Sequence, residues 1–311
     1  VTYKLDGVTK TYSQYTSGFS AATTRQLIIT VPASAPALYY WCSVHSGMGG
    51  AINTNSTHGS SNFDGAVQSL VSANATAGFS IVKYTGNGSA SGTIGHGLGA
   101  KPTHVIMRPL SYDGAWWHVN YKLNDGQILE FNDNAQANIT SFGGGGLKYS
   151  TFTTSVIGGA NGSSDSGLWN GSGQDYIAYC FTNKPGYCQA GQYVGNNNSS
   201  GPFIYTGFRP KFILFKNAHG SSNSPNSYWT LIDEKRSYNA TNPGFNPSGG
   251  GWIYAGKNNV EYDATSYTTD FLSNGFKIRH NGYYQNDDGT FVYLAFGQTM
   301  IGSNNVPGTA Y

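Results

Sequence analysis

The sequence predicts an all-β protein in which a small β-module precedes a duplicated antiparallel β-sandwich. Three observations carry this reading. The first is that the chain repeats itself. Residues 79–108 (FSIVKYTGNGSASGTIGHGLGAKPTHVIMR) are echoed by residues 188–216 (CQAGQYVGNNNSSGPFIYTGFRPKFILFK), with Tyr84 matching Tyr193, Ile94 matching Ile204, Gly97 matching Gly207 and Lys101-Pro102 matching Arg209-Pro210. Trp116-Trp117 is followed in the second copy by Tyr228-Trp229, which gives Trp117 and Trp229 equivalent core positions, and Tyr176–Phe181 by Phe291–Phe296. Self-similarity of this kind sets an architecture of stacked or repeated units. The second observation is that aromatic and β-branched runs (FSIVKY, THVIMR, YIAYCF, KFILFK, FVYLAF) are short and punctuated by Gly, Asn, Ser and Pro, the rhythm of a sandwich or barrel. The third is composition: 43 Gly and 23 Tyr stand against only 10% charged residues, so the residues that favour helices are scarce and almost no helix is expected.

Residues 1–57 form the first module. Gln26–Val31 reads as a strand, and Leu38-Tyr39-Tyr40-Trp41 leads as a second strand into Cys42-Ser43-Val44-His45-Ser46-Gly47-Met48-Gly49-Gly50. A thiolate, an imidazole and a thioether at successive spacings of three are the ligand types of a blue-copper site, and the loop looks like the C-terminal ligand loop of a cupredoxin. Cys42, His45 and Met48 are therefore the candidate copper ligands. A blue-copper centre also needs a second histidine from an upstream strand, and His45 is the first histidine of the chain. The competing expectation is a metal-free β-module in which Gly47, Gly49 and Gly50 turn the chain while Tyr39 and Trp41 alternate with Tyr40 into a core.

Residues 58–77 read as a packed connector. The polar run Asn53–Asn62 suits a linker or extended strap, and Phe63–Val71 resumes apolar residues that would pair as an edge strand or lie over the next module as a short helix. Residues 78–186 and 187–300 are the two sandwich repeats. Residues 301–311 have no repeat counterpart and read as a C-terminal strap onto an adjacent subunit.

Catalytic constellations are missing from the repeats. Sandwich glucanases place alternate carboxylates of one strand in a single cleft, whereas Glu130 and Asp133 would face opposite sides of a strand and the adjacent Asp233 and Glu234 diverge. No Gly-x-Ser-x-Gly elbow is present, and the expectation is a non-enzymatic protein. His96 stands between Gly95 and Gly97 where the second copy has Thr206, which suggests a backbone bend held by a hydrogen-bonding side chain. Asn132-Asp133-Asn134 and Asn286-Asp287-Asp288-Gly289 offer oxygen ligands for calcium, and both also read as ordinary turns. Trp169 and Trp252 lie in glycine-rich stretches without evident counterparts, and are the candidate exposed residues for stacking on a glycan. Cys180 and Cys188 flank a turn that would permit a bridge, although free thiols are expected.

Seventeen basic and fifteen acidic residues give a net charge of +2, with no basic cluster for nucleic acid and no apolar run long enough for a membrane span. The chain opens on Val1 without an apolar leader, so a leader is expected to have been removed or the beginning to be missing.

The run YYWCSVHSGMGG followed by INTN, then FDGAVQSLVSANATAGFSIVKYTGNG, the phrase GHGLGAKPTHVIM, the Trp-Trp pair and the YIAYCF strand resemble large virion structural proteins of tailed marine bacteriophages, particularly those infecting cyanobacteria and other ocean bacteria. The resemblance covers essentially residues 1–300. It implies a cupredoxin-like segment ahead of concanavalin-A-like (jelly-roll) sandwich repeats, in a tail fibre, tail appendage or other exposed component on the surface of the extracellular particle. The expected function is thus a non-enzymatic virion structural protein, a homo-oligomer whose partners are copies of itself, other virion proteins and, in a lectin-like role, host-surface glycans. The alternatives are a copper-binding redox module fused to a lectin-like domain, and a carbohydrate-active enzyme.

Overall fold

In the computed structural model, residues 1–29, 38–42, 45–52, 59–114, 116–124, 127–131, 147–159, 167–219, 228–234, 251–259, 262–263, 269–281 and 285–297 are described. The short apolar runs form antiparallel strands throughout, and helix is confined among the described residues to two short segments and one 3-10 turn. The chain divides into two compact units, Val1–His58 and Gly59–Tyr311.

In the first unit β1 (Thr2–Leu5) pairs with β2 (Val8–Lys10) across a two-residue Asp-Gly turn, where Asp6 and Gly7 take φ values of 48° and 77°. Both residues tolerate the left-handed conformation that this tight hairpin requires. Helix α1 (Tyr12–Gly18) follows because Thr11 and Gln14 form a reciprocal cap: Gln14 N donates to Thr11 Oγ1 (3.2 Å) and Thr11 N to Gln14 Oε1 (3.0 Å). The third strand, β3 (Arg25–Ile28), lies on the other side of β1, and β4 (Leu38–Trp41) and β5 (Gly49–Ile52) make a separate hairpin. Tyr39 and Trp41 do not enter a core. They are 72% and 77% exposed, because a two-stranded hairpin leaves both faces open unless another layer covers them.

The second unit contains the duplication. Its first copy comprises β6 (Ser60–Asn62), β7 (Ser69–Asn74), β8 (Phe79–Thr85), β9 (Thr93–Gly95), β10 (His104–Pro109), β11 (Trp117–Asn120), β12 (Leu129–Glu130), β13 (Val156–Gly158), α2 (Gly167–Asn170) and β14 (Asp175–Phe181). The second comprises β15 (Cys188–Val194), β16 (Phe203–Tyr205), β17 (Pro210–His219), β18 (Thr230–Asp233), β19 (Gly251–Tyr254), β20 (Tyr262–Asp263), β21 (Thr269–Leu272), β22 (Gly275–Ile278) and β23 (Thr290–Gly297). The large sheets share one strand order, β12-β11-β10-β14-β8 in the first copy and β19-β18-β17-β23-β15 in the second. A smaller layer backs each, β13-β9 in one and β16-β22-β21 in the other, with Ile94 paired to Ile157 where Ile204 pairs to Phe276. Alternate residues of the large sheets fill the space between layers: Val82, Val105, Met107, Trp117 and Tyr176 in the first sandwich, and Ile213, Phe215, Phe291 and Tyr293 in the second.

Residues 58–77 supply more than a connector. Strand β7 pairs with β8 from Ser69↔Tyr84 to Asn74↔Phe79, and β6 extends the same sheet to seven strands. The open edge of β8 offers unpaired backbone groups, and the alternation of Ser69 and Val71 inward with Leu70 and Ser72 outward fits that edge. Residues 53–58 and the strap at 301–311 lie outside the described residues.

The match of Trp117 with Trp229 is one residue out of register. Trp117 lies opposite Met107, whereas the residue opposite Phe215, which corresponds to Met107, is Thr230. The backbone confirms the offset, since Phe131 N donates to Trp116 O and Ala255 N donates to Trp229 O, both at 2.9 Å. Trp229 is therefore the counterpart of Trp116. A shift of one residue moves a side chain to the opposite face of the sheet, so Trp117 points into the first sandwich and Trp229 points away from the second.

The two sandwiches meet through the outward faces of their large sheets. Leu123 and Leu129 of the first copy pack with Leu214, Trp229 and Val292 of the second, and Phe181 meets Phe296 edge-on at 5.6 Å. A polar group sits inside this seam. Lys216 Nζ and Trp229 Nε1 both donate to the Glu130 carbonyl, at 3.2 and 3.1 Å, while His104 Nε2 and His118 Nδ1 lie 3.2 Å apart beside the Trp229 ring. Cys180 faces the first core and Cys188 the seam, so the two thiols lie on opposite sides of a sheet and remain free.

Burial lowers the pKa of His104 to about 3, and burial with the charges of His104 and Lys216 holds that of His118 well below the usual imidazole range. The folded protein keeps both rings neutral while unfolded chains take up protons as pH drops through about 6.5, so stability is full above that value and is lost progressively below it. Melting temperatures measured between neutral pH and pH 4 should fall steadily below pH 6, each histidine contributing about 1.4 kcal/mol per pH unit; a flat profile would contradict the neutral seam.

Candidate functional site

The Cys42 loop joins β4 to β5. Its ends are tied by Cys42 N donating to Met48 O (2.8 Å), and His45 N donates to Cys42 Sγ (3.3 Å), which brings His45 Nδ1 to 3.5 Å from the same sulfur. Gly47, at φ 77°, supplies the left-handed residue that closes the turn. Cys42 and His45 could thus hold one ion together. Strands β1 to β5 contain no histidine to supply the second equatorial imidazole, and His45 and Met48 are exposed where blue-copper ligands require a shielded pocket. The donors present do not fit a blue-copper centre.

Trp169 and Trp252 are not exposed contact residues. Each is only 2% exposed, Trp169 in the first core and Trp252 in the second. The glycines that suggested openness instead make room: a Cβ on Gly159 would stand 2.2 Å from the Trp169 ring. Tyr84 Oη donates to the Trp169 carbonyl and holds this segment against the sheet.

Other sequence candidates are structural where described. His96 is buried; Leu98 N donates to its Nδ1 (3.2 Å), which leaves Nε2–H to donate to Thr153 O (3.3 Å), and burial lowers its pKa. Thr206 performs the same service in the second copy by donating to Phe208 O. The turn at Asn286 is occupied by protein partners: Asn286 Nδ2 donates to Asn196, Asn198 and His280, while Asp287 Oδ1 accepts from Asn217 and Gly289. The other calcium candidate, Asn132-Asp133-Asn134, lies outside the described residues. No group of three or more His, Cys, Asp or Glu side chains with metal-site geometry occurs among the described residues. Glu234 is paired with Lys211, and Asp270 with Arg279.

Sequence reasoning missed an open groove on the outward face of the first sandwich. It has a volume of about 670 Å³ and is lined by Arg108, Leu110, Tyr112, Asp113, Trp116 and Tyr179, among others. The Arg108 guanidinium lies 5.4 Å from the centre of the Trp116 ring, and Trp116 stacks on Tyr179 at 6.0 Å. The signal was the adjacent pair Trp116-Trp117: on a strand, neighbouring residues take opposite faces, so only one of the two can reach the core.

Burial raises the thiols of Cys180 and Cys188 to about 12, whereas Cys42 is half-buried on its loop. Ellman's reagent should therefore titrate one thiol in the native protein and all three after denaturation; rapid native reaction of a second thiol would contradict the packing at Cys180 or Cys188.

No curated protein and no solved structure matches this chain. A family model described as a domain of unknown function, DUF7483, matches residues 13–299, and the chain belongs to that family.

Proposed function

We propose that this protein is a non-enzymatic structural component of a tailed-phage particle, exposed on a fibre or appendage and assembled from copies of itself, and that it adheres to glycans on the host surface. The particle setting follows from the resemblance of residues 1–300 to marine phage structural proteins. Three carboxylates support a non-enzymatic role, because Asp270, Glu234 and Asp287 are engaged in structural contacts with Arg279, Lys211 and Asn217.

One observation carries the adhesive part. Tyr39 and Trp41 are 72% and 77% exposed on one face of β4, about 7 Å apart along the strand. Large aromatic faces left in water are costly unless a partner covers them, and flat rings suit the C–H faces of sugars. The adjoining polar loop can donate to sugar hydroxyls.

Two measurements test the proposal. Mass spectrometry of purified particles of the encoding phage should find the chain in multiple copies, and its absence would remove the structural role. On a glycan array the full chain should bind, and Trp41→Ala should weaken that binding about tenfold or more without lowering the melting temperature; equal binding by the variant would dissociate adhesion from this hairpin.

A further inference from the structure

The duplicated sheets carry a cation and a tryptophan at the same place. Arg108 lies opposite Ile177 in the first sheet as Lys216 lies opposite Val292 in the second, and Trp116 corresponds to Trp229 by its strand carbonyl. Both pairs point to the outward face of their sheet.

In the second copy this pair is a docking device. Lys216 and Trp229 are fully buried, and both donate to a single backbone carbonyl, that of Glu130 on the edge strand β12. Aromatic rings complete the fit: His118 lies 4.2 Å and Phe131 6.3 Å from the Trp229 ring. The occupant is thus one strand edge and its flanking rings, belonging to a sandwich of the same design.

In the first copy the corresponding pair is open. Arg108 and Trp116 are half-buried along the groove, Leu110 is 51% exposed beside them, and among the described residues neither the guanidinium nor the indole N–H has a hydrogen-bond partner. N–H donors of a cation and an indole that are open to the groove, at the sheet positions that elsewhere grip a sandwich edge, identify the kind of surface they accept.

We infer that the Arg108–Trp116 face of the first sandwich is the docking site for a second copy of this chain. Arg108 and Trp116 donate to a strand carbonyl of the incoming molecule as Lys216 and Trp229 do to Glu130. The contact joins two different surfaces, so it is heterologous and propagates into a ring or a filament. The inference deepens the self-assembly in the proposed function, on which it rests, while virion membership and glycan adhesion keep their own tests.

Sedimentation velocity of the full chain over a concentration series decides it. The wild type should grow in mass with concentration. Arg108→Glu, which reverses a half-exposed charge without opening a core, should weaken association about tenfold or more, and Trp116→Ala should do the same. A wild type that stays monomeric at every concentration, or variants that assemble as the wild type does with unchanged melting temperatures, would overturn the inference. So would a monomer that binds an immobilised oligosaccharide through Trp116, since the groove would then be a sugar site.

Discussion

The second unit turns on one backbone carbonyl. Glu130 O ends an edge strand of the first sandwich and would be stranded without water on entering an apolar seam, but it accepts from both Lys216 and Trp229. Those two donors need the carbonyl as much as it needs them, because a buried ammonium and a buried indole N–H are costly when unpaired. Leucines close over the group, and the low-dielectric surroundings that they create keep His104 and His118 neutral. The sandwiches are therefore fixed by a polar register set inside an apolar contact.

Duplication gave the protein two versions of the same outward face, and their environments separated them. In the second copy the face carries Leu214, Lys216, Trp229 and Val292 and is covered; in the first it carries Ile106, Arg108, Trp116 and Ile177 and borders an open groove. Arginine is the cation suited to the partly hydrated position, since its guanidinium can rest on an indole while directing several donors outward. Lysine suits the enclosed one, where its compact ammonium reaches the Glu130 carbonyl. Elsewhere the copies keep the scaffold and change its details, as at the bend held by His96 in one and Thr206 in the other.

Glycine was the most misleading signal. Glycine-rich surroundings made Trp169 look exposed, whereas the absence of a side chain at Gly159 is what allows the indole to lie against the backbone. The first unit erred in the opposite direction: the alternation of Tyr39, Tyr40 and Trp41 reads as a strand with one buried face, and β4 is indeed a strand, but its hairpin carries no second layer among the described residues. The helix α1 was legible in Thr11-x-x-Gln14, a local cap that an argument from bulk composition passes over.

The sequence by itself determined the all-β class, the duplication and the positions of most strands, because alternation, chain punctuation and repetition are written in neighbouring residues. It also carried the residue types of the Cys42 loop and their spacing. Only the tertiary structure decided which tryptophan answers which, that residues 58–77 join a sheet, and that of the two equivalent cation–tryptophan positions one is covered and the other open. Those outcomes depend on the stacking of sheets whose facing residues are separated by most of a repeat, and on a strand geometry in which a single residue of register exchanges the inside for the outside.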